Sequence, residues 1–252
     1  MKNLPGLILL FLTALFFSCS TISYKEAPPK EIAELDSFPP ELIGAYISNE
    51  TTNEKGIKLT PAESECQKKS FPVFEIMKNG IFLHDYRSTT FSKNKKDTLI
   101  SKITESLIYI KENGKDTACR YFECDGKYHV LTRDHSLMLK LGMDSIDVKP
   151  IKELIMVKLK TFKGYYFFSF GSEQKWTSLI FRSLPGKKIK LLVRKDDKKQ
   201  EILNDKLRKY TPVYVVETEK GKRSYINPDT TQLMKMLRGT IFTKSMEFKK
   251  KE

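Results

Sequence analysis

The sequence predicts a mainly β protein built from antiparallel meanders, sandwich- or barrel-like, with two short helices in its C-terminal half. Three observations carry this. Short runs rich in Val, Ile, Phe and Tyr recur along the chain. Hairpin-type turn dipeptides separate them, Asn79-Gly80 and Asp125-Gly126 foremost. Two segments after residue 200 carry apolar residues at helical spacing.

In order, Leu42 to Ser48 reads as a first strand. Val73–Met77 and Ile81–Tyr86 flank Asn79-Gly80 as a hairpin, and Cys119–Glu123 and Tyr128–Leu131 flank Asp125-Gly126 as another. Between them, Thr98–Ile110 fits a strand or a helix equally. Leu154–Leu159 and Tyr165–Phe170 meet at Lys163-Gly164, and Trp176–Phe181 and Ile189–Val193 meet at Pro185-Gly186. Val213–Glu217 and Arg223–Ile226 meet at Lys220-Gly221. The aromatic run Tyr165–Phe170 reads as a strand buried on both faces rather than a base-stacking platform. Of the helices, Glu201–Arg208 offers Ile202, Leu203 and Leu207 to the core. The second is expected to start with Asn227 as cap and Pro228 in first position, to bury Leu233, Met234 and Leu237, and to stop at Gly239. Ile241–Phe248 reads as a closing strand.

The N-terminus has a different character. Lys2 precedes an apolar run, Leu7 to Phe17, broken only by Thr13. Eleven residues make about 16 Å of helix, too short for a bilayer core of about 30 Å, and the pattern is that of an export signal. It ends in Phe16-Phe17-Ser18-Cys19, which resembles the lipobox of bacterial lipoproteins, with Phe16 where Leu is commoner and Ser18 where Ala or Gly is commoner. The resemblance implies cleavage after residue 18 and lipidation of Cys19, acyl chains such as palmitate then holding the protein to a membrane, expected to be the outer membrane. The chain's style is also similar to uncharacterised Bacteroidota envelope lipoproteins, a likeness that implies no activity. Residues 19–37 (with Pro28-Pro29 inside) read as a polar lipidated tether that can be removed with little loss of core. Gly44-x-Tyr46 resembles the Gly-x-Trp opening of lipocalin-type barrels, which implies a barrel carrying a lipid or small apolar ligand.

The formal net charge of +14 is unevenly placed. Residues 1–150 hold 20 basic and 20 acidic side chains, and residues 151–252 hold 25 and 11. The break at Lys149-Pro150 suggests a neutral N-terminal β region, 38–149, and a basic C-terminal one, 150–252. Lys187, Lys188 and Lys190 are the candidate basic surface, suited to an anionic envelope component or an acidic protein. Nucleic acid fits the charge but not the compartment. Hydrophobic content of 40% is enough for a core, so the body is not expected to be disordered.

Chemistry-bearing motifs are sparse. Cys119, Cys124, His129 and His135 form C-x4-C-x4-H-x5-H, in which four residues part the pairs where zinc fingers place about twelve, so no metal and no cofactor are expected. Ser172-x-x-Lys175 and Ser92-x-x-Lys95 match a penicillin-recognising pattern but no Lys-Thr-Gly follows. Asp196-Asp197 reads as an exposed turn. No catalytic residues are assigned. With Cys19 lipidated, Cys66, Cys119 and Cys124 allow at most one internal bridge. Cys119 and Cys124 point to opposite faces of a strand, which leaves a bridge through Cys66 or buried free thiols. The function expected is that of a non-enzymatic binding or interaction module of the cell envelope.

Overall fold

A computed structural model describes residues 22–49, 60–84, 86–93, 99–105, 107–112, 115–134, 137–148, 151–172, 175–193, 200–218, 221–242 and 244–251. The signal segment, Cys19, Lys95, His135, Lys149-Pro150, Asp196-Asp197 and Lys220 lie outside the described residues. In chain order the strands are β1 (Ser23–Tyr24), β2 (Glu34–Leu35), β3 (Gly44–Ser48), β4 (Phe74–Met77), β5 (Gly80–Leu83), β6 (Tyr86–Ser92), β7 (Ile100–Ile103), β8 (Leu107–Glu112), β9 (Lys115–Cys124) and β10 (Lys127–Asp134). There follow β11 (Leu137–Lys140), β12 (Gly142–Val148), β13 (Ile151–Phe162), β14 (Tyr165–Ser172), β15 (Lys175–Leu184), β16 (Lys188–Val193), β17 (Val213–Thr218), β18 (Gly221–Ile226) and β19 (Lys244–Lys250). The helices are α1 (Pro61–Lys69), α2 (Gln200–Arg208) and α3 (Thr230–Arg238).

These strands form two curled sheets, almost wholly antiparallel and half-barrel-like, of fourteen and five strands. The mainly β expectation therefore holds, as do the two C-terminal helices. Local turn chemistry explains why. Asp125 and Gly126 both take positive φ (49° and 65°), as do Lys163 and Gly164 (48° and 79°), which matches the twist of the flanking strands. Gly80 serves differently: a Cβ there would run into the Leu139 carbonyl oxygen, so its smallness lets β11 lie alongside β5.

The large sheet has an apolar layer on each side. Its inner face buries Tyr46, Phe74, Ile76, Phe168, Phe181, Ile189 and Phe248. Its outer face carries Phe167 and Ile180 beneath Leu233, Met234 and Leu237 of α3, and Trp176 and Ile226 beneath Leu203 and Leu207 of α2. Phe167 and Phe168 thus bury on opposite faces of β14, as its aromatic run predicts. The five-stranded sheet, β6-β10-β9-β8-β7, has its own core of Phe91, Ile108, Ile110, Cys119 and Val130.

Several expectations are corrected. Residues 22–37 are not a free tether: β1 pairs with β18 and β15, β2 pairs with β13, and Tyr24 and Ala27 are core residues. The division at Lys149-Pro150 does not separate two units, because β3 hydrogen-bonds to β19 and both halves share one sheet. Composition followed charge there, and backbone pairing does not. The ambiguous stretch resolves as β7 and β8 around a Thr104–Leu107 turn, where the Leu107 N–H donates to Thr104 Oγ1 at 3.1 Å. α3 starts later than expected, because Asp229, not Asn227, caps it. Asp229 Oδ1 accepts from the Gln232 N–H at 2.8 Å while Gln232 Oε1 accepts from the Asp229 N–H at 3.1 Å. In α2 the buried face is Leu203, Asn204 and Leu207, and Ile202 is exposed. The closing strand begins at Lys244, Ile241 packing in the loop before it. Helix α1 has no apolar stripe to announce it.

A candidate basic face on the outer side of the large sheet

β16 alternates strictly: Ile189, Leu191 and Val193 point inward, which turns Lys188 and Lys190 outward. Register decides what stands beside them. Lys190 lies opposite Arg182 of β15 and Glu247 of β19, and Arg182 lies opposite Tyr165 of β14. Lys188 lies opposite Leu184 and Lys249. One outer face therefore gathers Arg182, Lys188, Lys190 and Lys249 around a single carboxylate, with exposed Lys187 at the turn. The Arg182 guanidinium sits over the Tyr165 ring, 5.9 Å from its centroid. This cation–π contact steadies the group without neutralising it.

Energetically the arrangement is unfavourable for folding alone. Like charges directly opposite on neighbouring strands are destabilising, and Lys188–Lys249 is such a pair. Among the described residues none of the four cations has a carboxylate within 4.0 Å, although ion pairs such as Lys158–Glu34 and Lys93–Glu123 form elsewhere. Helix α3 covers Phe167, Ile180 and Leu192 of the same face and stops short of this end. Sequence reading found Lys187, Lys188 and Lys190 as a run. It missed Arg182 and Lys249, which only the strand register brings to them.

The other candidate residues do not converge. Cys124 is bonded to Cys66, with 5.4 Å between Cα atoms, which decides the open pairing question and ties α1 to the end of β9. Cys119, outside any disulfide, is buried on the opposite face of β9, its thiol donating to the Thr117 carbonyl oxygen at 3.7 Å. His129 lies opposite Phe122 and stacks on it, centroids 4.7 Å apart. Burial, aided by Lys127, holds its imidazole below the usual range. Cys119 and His129 thus face opposite sides of the small sheet, and the Cys124 sulfur is consumed. Ser172 and Lys175 are exposed cross-strand partners at a hairpin end, and Ser92 lies in β6.

Inside the curled sheet a cavity of about 20 Å³ is lined by Phe74, Ile76, Ile81, Leu83, Leu179, Phe181, Ile189 and Leu191. That is room for about one water molecule, where small-molecule pockets span about 300–1,000 Å³. No protein-family model, curated protein or solved structure matches the chain.

Proposed function

We propose that the chain is a lipid-anchored, non-enzymatic module of the bacterial cell envelope, expected at the outer membrane, that binds a partner bearing rows of carboxylates through Arg182, Lys188, Lys190 and Lys249. Such a partner is a cell-wall polymer or an acidic protein. The observation that carries the reading is the Lys188–Lys249 pair, like charges directly opposite with no carboxylate within 4.0 Å among the described residues, a cost to the fold that an anionic ligand would offset. Two further features support the address. The Phe16-Phe17-Ser18-Cys19 sequence resembles a lipobox, and a Cys66–Cys124 bridge suits an oxidising compartment. The cavity lined by Phe74, Leu179 and Ile189 is too small for a lipid or other small apolar ligand.

The test is co-sedimentation with insoluble cell wall across a salt series, with polyglutamate as soluble competitor. Binding should be strong at low salt and fade as the Debye length falls from about 10 Å at 0.1 M to about 3 Å at 1 M. Replacing Lys187, Lys188 and Lys190 together by Gln should weaken it far more than three Lys→Gln changes on the small sheet, at Lys102, Lys111 and Lys115. Equal losses from the two sets, or no salt-sensitive binding, would refute the reading.

A further inference from the structure

β17 ends the strand order of the large sheet among the described residues, and its Tyr214, Val215 and Val216 are 52%, 46% and 49% exposed. Exposed apolar edges of this kind invite association. What covers this one follows from how near β1, the first described strand, lies to it. β18 lies between β17 and β1, so at about 4.8 Å per strand β17 is about 10 Å from β1. The three residues from Cys19 to Ile22 reach at most about 11 Å. β1 and β18 run parallel, with Ser23 opposite Tyr225. The N-terminal end of β1 therefore points the same way as the Arg223 end of β18, and Val216 is the partner of Arg223.

The two faces of this edge differ. Val213 and Ile226 pack into the cluster beneath α2. The opposite face presents Tyr214, Val216, Arg223 and Tyr225. Tyrosines with an apolar neighbour and an arginine are the chemistry of a bilayer interface, the rings lying at headgroup depth and the guanidinium on anionic phosphates.

We propose that, with Cys19 lipidated, the β17–β18 edge seats on the bilayer surface through Tyr214, Val216, Tyr225 and Arg223. This rests on the lipid-anchor reading above.

The test uses the full chain, exported by a bacterial host, purified in detergent and reconstituted into phosphatidylethanolamine vesicles with a minority of phosphatidylglycerol. Trp176 is the chain's one tryptophan and is buried, so it gives a constant background. Two exposed reporters are added separately, Tyr214→Trp at the edge and Lys115→Trp on the small sheet. Nitroxide lipids labelled near the headgroup should dim the added emission of Tyr214→Trp about two-fold and leave Lys115→Trp unchanged. Mass spectrometry of the mature N-terminus reads the anchor independently. Lipid on Cys19 with neither reporter dimmed, or both dimmed alike, overturns the seating alone. An unmodified Cys19 overturns the anchor reading and the seating with it. An undimmed Tyr214→Trp in a dimer that Val216→Lys dissolves assigns the edge to a second copy of the chain instead.

Discussion

The Lys160 ammonium donates to the carbonyl oxygen of Pro29 at 3.1 Å, and to that of Ala27 at the same distance. Lys160 is itself buried, and burial holds its ammonium below the usual lysine range. A buried cation is tolerated only where its hydrogens find acceptors. Here the acceptors belong to the segment between β1 and β2, so the lysine fastens the N-terminal segment to β13.

Lys160→Met should therefore cost about 1–3 kcal/mol, the price of leaving two buried carbonyls without a donor. Denaturant unfolding gives the loss, and hydrogen exchange should quicken first in residues 22–35. Tyr24→Ala should cost about 3–5 kcal/mol by emptying a core site. Unchanged stability in both variants would mean that the segment is only laid on the surface.

Opening the Cys66–Cys124 bridge should loosen the junction of α1 with β9 rather than the large sheet. The bridge closes a loop of 58 residues, worth about 4 kcal/mol by chain entropy. Phe71, edge-on to Phe122 at 5.4 Å and beneath the Arg120 guanidinium, adds contact there. Exchange rates in α1 and β9 of a Cys66→Ser/Cys124→Ser chain should rise while β14–β16 stay protected. Uniform acceleration would show instead that the bridge supports the whole fold.

Alkaline pH should unfold the protein through two tyrosines. Burial pushes the Tyr46 phenol up to about 12, and Tyr24 is raised further. The folded chain keeps these protons where the unfolded chain releases them, so stability is full below about pH 10 and falls as pH rises from there through about 12. Phenolate absorbance should lag for these two groups and appear with loss of near-ultraviolet dichroism. In Tyr46→Phe the alkaline slope should be shallower, although the 2.8 Å bond to the Leu42 carbonyl is lost at every pH.

Lys249→Glu separates fold from function on the basic face. Replacing the like-charged partner of Lys188 should stabilise the protein by about 0.2–1 kcal/mol, read as a higher melting temperature. The same change should weaken cell-wall binding. A stabilised variant that binds as well as the parent would deny the face its role.

The parts legible in the sequence are those set by neighbours in the chain. Asp125-Gly126, Lys163-Gly164 and Pro185-Gly186 specify their turns through backbone conformations their own residues prefer. The Lys187–Lys190 run is visible for the same reason. Its companions Arg182 and Lys249 come from β15 and β19, and register between distant segments leaves no mark on either one. The two-residue strands β1 and β2 are too short to show a period. Helix α1 has no apolar stripe and is held through Cys66, so its fastening became visible only with the partner cysteine.

Leu83 ends β5 and Leu137 begins β11, and the two are antiparallel partners. Tyr86 and Asp134, the outer ends of β6 and β10, are partners as well. The chain thus departs and returns through one doorway, and everything between is a five-stranded head with its own interior. Such a head is a cassette fastened to the base by the Cys66–Cys124 bridge as well as by the chain, and a short turn from Leu83 to Leu137 would restore a plain hairpin in the base while leaving Cys66 without its partner. Variation among descendants of this chain should accordingly concentrate in the cassette, while the base keeps its register.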